Sequence, residues 1–86
     1  MKISFESIAF AQYSEWLALD KKVYKRINKL IQDIMRDPRG KGTGKPEILK
    51  RGYAGYLSRR ITEKHRLVYK IEGDTIIILS CYGHYD

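Results

Sequence analysis

Eighty-six residues with a net charge of +7 read as one small domain, residues 1–86, with a thin core. A lone cysteine, Cys81, excludes an internal disulfide and a thiolate zinc cluster, and it fits a reducing cytoplasm. No apolar run approaches the ~20 residues of a membrane-spanning helix, and Glu6, Gln12 and Glu15 argue against a secretion signal.

Met1–Phe5 alternates Ile3 and Phe5 with polar neighbours and predicts a short strand. Ser7 is placed to cap a helix running to about Leu19, with Phe10, Tyr13, Trp16 and Leu17 as its apolar set. Asp20 is placed to cap a second helix to about Arg36. Val23, Ile27, Leu30, Ile31 and Ile34 form its stripe, and Pro38 and Gly40 stop it. Arg39–Pro46 contains three glycines and reads as a flexible loop that delivers Glu47 and Lys50 to the surface. Tyr56–Thr62 and Arg66–Ile71 alternate as strands. Gly73-Asp74 makes a two-residue hairpin turn, and Thr75–Cys81 is a continuous apolar strand. The order β-α-α-β-β-β predicts an α+β fold: a small, largely antiparallel sheet with both helices packed on one face.

Charge is concentrated in the middle of the chain. Residues 36–70 hold eleven basic and three acidic side chains, a net of +8 that exceeds the whole chain's +7. Such a segment suits a polyanionic partner. The same region and the end of the chain together supply the parts for cutting a phosphodiester. A carboxylate at Glu47 can take a proton, Lys50, Arg60 and Arg66 can hold phosphate charge, and an imidazole at His84 can return a proton to the leaving oxygen. Tyr85 adds a ring for a base or a hydroxyl for a phosphate. Strand parity puts Arg60 on the face opposite Leu57 and Ile61, where a cleft would be built. Arg59 falls on the apolar face, which favours a structural role. His65 reads as a surface-turn histidine and Trp16 as core. Tyr53, Tyr56, Tyr69 and Tyr82 read as core or sheet-surface aromatics. Two histidines and one cysteine without short ligand spacing give no metal site, and no glycine-rich nucleotide loop is present, so no cofactor is expected.

Taken together, these segments resemble the YoeB (Txe/YoeB) toxins of the RelE/ParE toxin–antitoxin superfamily. The resemblance is carried by Asp20-Lys21, Ile27-Asn28-x-Leu30-Ile31 and Gly44-Lys45-Pro46-Glu47-x-Leu49-Lys50. It continues through Gly55-Tyr56-x-Ser58-Arg59-Arg60-Ile61, His65-Arg66-Leu67-Val68-Tyr69 and His84-Tyr85. It implies a RelE-like fold and a ribosome-dependent mRNA endonuclease. Glu47 would be the general base, His84 the general acid and Arg66 the stabiliser of the phosphate, with Lys50, Arg60 and Tyr85 in support. The resemblance also implies a cognate acidic antitoxin of the YefM/Axe kind, contact with the ribosome and mRNA, a homodimer, and no membrane. The chain departs from the family at Leu57, where relatives often have tryptophan, and at Tyr82-Gly83, where a basic residue and an aromatic can precede the histidine.

Two other functions fit the same scaffold: a ParE-like gyrase poison and a non-catalytic basic RNA- or ribosome-binding module. Only the endonuclease uses a Glu–Arg–His set, and only it leaves new 5′-hydroxyl ends.

Overall fold

The structure, a computed structural model, describes residues 1–38, 46–49 and 55–83. Its elements are β1 (Lys2–Phe5), α1 (Ser7–Leu19), α2 (Lys21–Arg36), β2 (Glu47–Ile48), β3 (Leu57–Arg60), β4 (Arg66–Glu72) and β5 (Thr75–Ser80). They build a five-stranded sheet of order β1-β5-β4-β3-β2. The meander from β2 to β5 is antiparallel, and β1 lies parallel to β5 at the far edge. The α+β architecture read from the sequence is the one observed. It contains one strand more than expected: Glu47 and Ile48 do not sit in a free loop but pair with Ser58 and Leu57.

The helices cover one face of the sheet. Ile27, Leu30 and Ile34 of α2 are fully buried together with Leu67, Tyr69, Ile76 and Ile78 of the sheet. Burying each such side chain contributes about 1.5–3 kcal/mol. Asp20 starts α2 as expected, its carboxylate accepting from the Lys22 N–H at 3.0 Å and the Val23 N–H at 3.4 Å.

α1 differs from expectation in two ways. Glu6, not Ser7, occupies the cap position, and its side chain makes no capping bond. The buried side of α1 is also rotated from the apolar set: Phe10 and Leu17 are exposed, whereas Ala9 and Trp16 are buried. The cause is polar. Gln12 Oε1 accepts from the Cys81 N–H at 2.8 Å, and the Trp16 indole N–H donates to the Cys81 carbonyl at 2.9 Å. Satisfying these groups at the end of β5 fixes which side of α1 faces inward.

The Gly73-Asp74 turn joins β4 to β5, with Glu72 opposite Thr75 and Gly73 at φ +59°. A register shift between Val68 and Tyr69 interrupts that ladder.

Candidate active site

The face of the sheet turned away from the helices gathers the basic side chains. Cross-strand register explains why. Arg60 pairs directly with Arg66, Ser58 with Val68, and Glu47 with Ser58. Directly opposed residues share a face, so Glu47, Ser58, Arg60, Arg66 and Val68 form one surface. Ser58 and Val68 are fully buried and make its floor, and Arg66 is only 8 % exposed.

Arg66 Nη1 lies 3.4 Å from Glu47 Oε1. The contact is an ion pair without hydrogen-bond geometry, and among the described residues Nη1 has no hydrogen-bond partner. A buried guanidinium N–H left without an acceptor costs more than ~1–3 kcal/mol. Next to it stands Arg60, a like charge directly opposite on the neighbouring strand. Like charges in that relation are destabilising unless an anion lies between them. One acceptor-rich anion, such as a phosphate, would relieve both costs.

Two further side chains belong to this face. Lys70 is held 2.9 Å from Glu72 and lies over the Tyr56 ring, 5.3 Å from its centroid. The Glu72 contact raises the Lys70 pKa, so its charge is kept. Tyr56 accordingly serves as the sheet-surface aromatic its sequence position suggests.

Arg59 points the other way, as strand parity requires. It is fully buried; Nε donates to the Tyr69 hydroxyl at 3.1 Å, and Nη2 donates to the Asp37 carbonyl at 3.3 Å. Its contacts tie β3 to β4 and to the end of α2.

Of the residues singled out from sequence, the structure brings together Glu47, Arg60 and Arg66. Lys50, His84 and Tyr85 lie outside the described residues, as does Tyr53. The chain is followed as far as Gly83, whose carbonyl accepts from the Arg66 N–H at 2.9 Å. The segment leading to His84 therefore reaches the very residue that pairs with Glu47. Among the described residues, no three His, Cys, Asp or Glu side chains converge as metal ligands would.

His65 does not behave as a surface-turn histidine. It is half-buried between Trp16 and Tyr82, and its Nδ1 accepts from the Gly83 N–H at 2.9 Å. Tertiary contacts with α1 and the end of β5 create this environment, so local sequence could not disclose it.

Comparison with known proteins gives a consistent picture. Residues 5–85 match the family described as YoeB-like toxin of bacterial type II toxin–antitoxin system. Toxin YoeB of Streptomyces coelicolor is 52 % identical over 85 residues, spanning 99 % of this chain and 100 % of the relative. The structure of a YoeB/ParE toxin from Agrobacterium tumefaciens superimposes with a TM-score of 0.94 at 39 % identity, covering 99 % of this chain and 100 % of that one. The toxin in a heterotetrameric YoeB–YefM toxin–antitoxin complex from Staphylococcus aureus gives 0.91 at 45 % identity, covering 99 % and 98 %.

Proposed function

Because this chain belongs to the YoeB-like toxins of bacterial type II toxin–antitoxin systems, we propose that it is a ribosome-dependent mRNA endonuclease. The observation that carries the reading is Arg66. It is a nearly buried guanidinium whose Nη1, among the described residues, donates no hydrogen bond; it is paired at 3.4 Å with the carboxylate of Glu47 and opposed by Arg60. A phosphodiester fits that arrangement, and RNA brings its own nucleophile.

The steps follow from the chemistry of the groups. Glu47 takes the proton of a ribose 2′-hydroxyl. The 2′-oxygen attacks the adjacent phosphorus, while Arg66 and Arg60 neutralise the charge growing on the non-bridging oxygens. His84 gives its proton to the departing 5′-oxygen. A P–O bond forms at O2′ and another breaks at O5′, leaving a 2′,3′-cyclic phosphate and a 5′-hydroxyl. We assign Lys50 and Tyr85 supporting contacts with the RNA. DNA, which lacks the 2′-hydroxyl, is inert on this pathway.

The natural inhibitor on this reading is an acidic antitoxin of the YefM kind. It would lay carboxylates against the +8 of residues 36–70 and take its affinity mainly from apolar anchors. Primer extension on one translated mRNA, with and without induction of this chain, tests the function. Discrete new 5′-hydroxyl ends inside the reading frame are expected. Growth arrest without such ends would instead favour a gyrase poison or a passive binding module.

A further inference from the structure

Gly83 is held more firmly than a connecting residue requires. Its N–H donates to His65 Nδ1 and its carbonyl accepts from the Arg66 N–H, each at 2.9 Å. Both groups of one residue are thus fastened to consecutive residues, His65 just before β4 and Arg66 at its start. The φ of Gly83 is +90°, where a side chain would be strained and glycine is not. The His65 ring is itself fixed. Its centroid lies 4.9 Å from that of Trp16, edge-on, and 4.5 Å from that of Tyr82. Trp16 and Gln12 bind the same segment from α1 through the carbonyl and N–H of Cys81. Ser80 Oγ adds a bond to Gln12 Oε1 at 3.2 Å.

A histidine nitrogen accepts a hydrogen bond only when it carries no proton. The Gly83 bond therefore assigns His65 a neutral ring with its proton on Nε2. A residue needed only to turn the chain between β3 and β4 would not require that acceptor. The turn already has its own bonds: the Ile61 and Thr62 N–H groups donate to the His65 carbonyl, and Thr62 Oγ1 accepts from the Lys64 and His65 N–H groups.

We propose that His65 is a positioning residue. Its Nδ1 holds Gly83, the residue that precedes His84 in the chain, against the strand that begins with Arg66. The inference rests on the endonuclease reading, in which His84 is the general acid. A general acid must come within about 2.6–3.2 Å of the oxygen it protonates. His65 does not touch the substrate; it acts through the backbone of Gly83.

The test compares the wild-type protein with His65→Asn and His65→Phe. Asparagine places an acceptor oxygen near the position of Nδ1, whereas phenylalanine keeps the ring packing and offers no acceptor. Two readouts are taken: single-turnover cleavage on programmed ribosomes and hydrogen exchange at the Gly83 amide. In His65→Phe the rate should fall about 100-fold, the effect of roughly 1 Å of misplacement. KM should stay within about threefold of wild type, because substrate contacts are intact. His65→Asn should recover to within about tenfold of wild type. The Gly83 amide should be protected in the wild type and in His65→Asn, and should exchange at least ~10-fold faster in His65→Phe.

A folded His65→Phe that cleaves at the wild-type rate, or that protects Gly83 equally well, overturns the proposal. Should His65→Phe not fold, nitrogen NMR of the wild-type ring decides: a proton on Nε2 and a bonded, bare Nδ1 support the proposal, and a proton on Nδ1 refutes it. If the wild type leaves no new 5′-hydroxyl ends, the endonuclease reading itself falls and takes the positioning role with it. Equal cleavage by wild type and His65→Phe removes the positioning role alone.

Discussion

Glu47 and Arg66 meet at 3.4 Å across an intervening strand. Their own strands, β2 and β4, are separated by β3 and lie about 9–10 Å apart. On the shared face Glu47 is opposite Ser58, small and fully buried, whereas Arg66 is opposite Arg60, so the ion pair runs diagonally across β3. The pair is also asymmetric. The Glu47 side chain is 54 % exposed and that of Arg66 only 9 %. The carboxylate can exchange protons with a bound ligand while the guanidinium stays fixed.

That asymmetry predicts different outcomes for the two partners. Glu47→Gln keeps the shape but cannot take a proton. Cleavage should fall by about 10²–10⁴, with folding stability within about 0.5 kcal/mol of wild type. Arg66→Ala should cost about 10²–10³ in rate, and the double variant should lose less than the product of the two. Single-turnover cleavage, with urea unfolding as the control, measures both effects. A folded Glu47→Gln that cleaves normally would remove the general base from the scheme.

Arg59 should behave in the opposite way. Arg59→Ala strips donors from the Tyr69 hydroxyl and the Asp37 carbonyl and leaves a void in the core. The expected loss is roughly 2–4 kcal/mol of stability. Cleavage per folded molecule should be unchanged when assayed well below the melting temperature. Normal melting combined with lost cleavage would place Arg59 in the site instead.

The cap of α2 offers a local check. The Asp20 carboxylate serves both the Lys22 and Val23 N–H groups. Asp20→Ala should therefore lower stability by about 1 kcal/mol without altering the pattern of cleavage. Urea denaturation measures the loss, and no change in midpoint would mean that water replaces the cap at no cost.

Stability should decline in alkali. Burial pushes the Cys81 thiol up from 9.0 to about 12. Burial, and then the hydrogen bond with Tyr24, push Tyr13 up from 10.0 to about 12. In each case the folded protein keeps a proton that the unfolded chain gives up. Unfolding then releases protons, so this stability is complete below about pH 9 and is lost as pH rises toward 12. Urea midpoints measured from pH 8 to 11 should fall steadily, and Cys81→Ala, though weaker at pH 8, should fall less. A flat profile would show that neither group titrates differently on folding.

Most of the fold was legible because its signals are local. The α2 stripe, the Asp20 cap and the Gly73-Asp74 turn each depend on residues within a few positions of one another, and each stands where expected. Strand parity alone separated Arg59 from Arg60. The misreadings share a different cause. Phe10 and Leu17 look like core by spacing, but bonds from Gln12 and Trp16 to Cys81 turn them outward. β2 is two residues long and exists only as a partner for β3, so its own sequence carries no strand signal. His65 acquired its role from Gly83 and Trp16, neither of which is near it in sequence.

The pairing of β1 with β5 has a consequence for the order of assembly. Among the described residues β1 pairs only with β5, and α1 is bonded to Cys81 at the end of β5 through Trp16 and Ala9. Contacts this distant along a chain are slow to form. During synthesis, the helices and the first hairpin can collapse while β1 waits with its ladder unpaired. A chain cut short before β5 therefore lacks both the strand that closes the sheet and the segment that follows it to Gly83. The sheet of this protein closes only once β5 has been made.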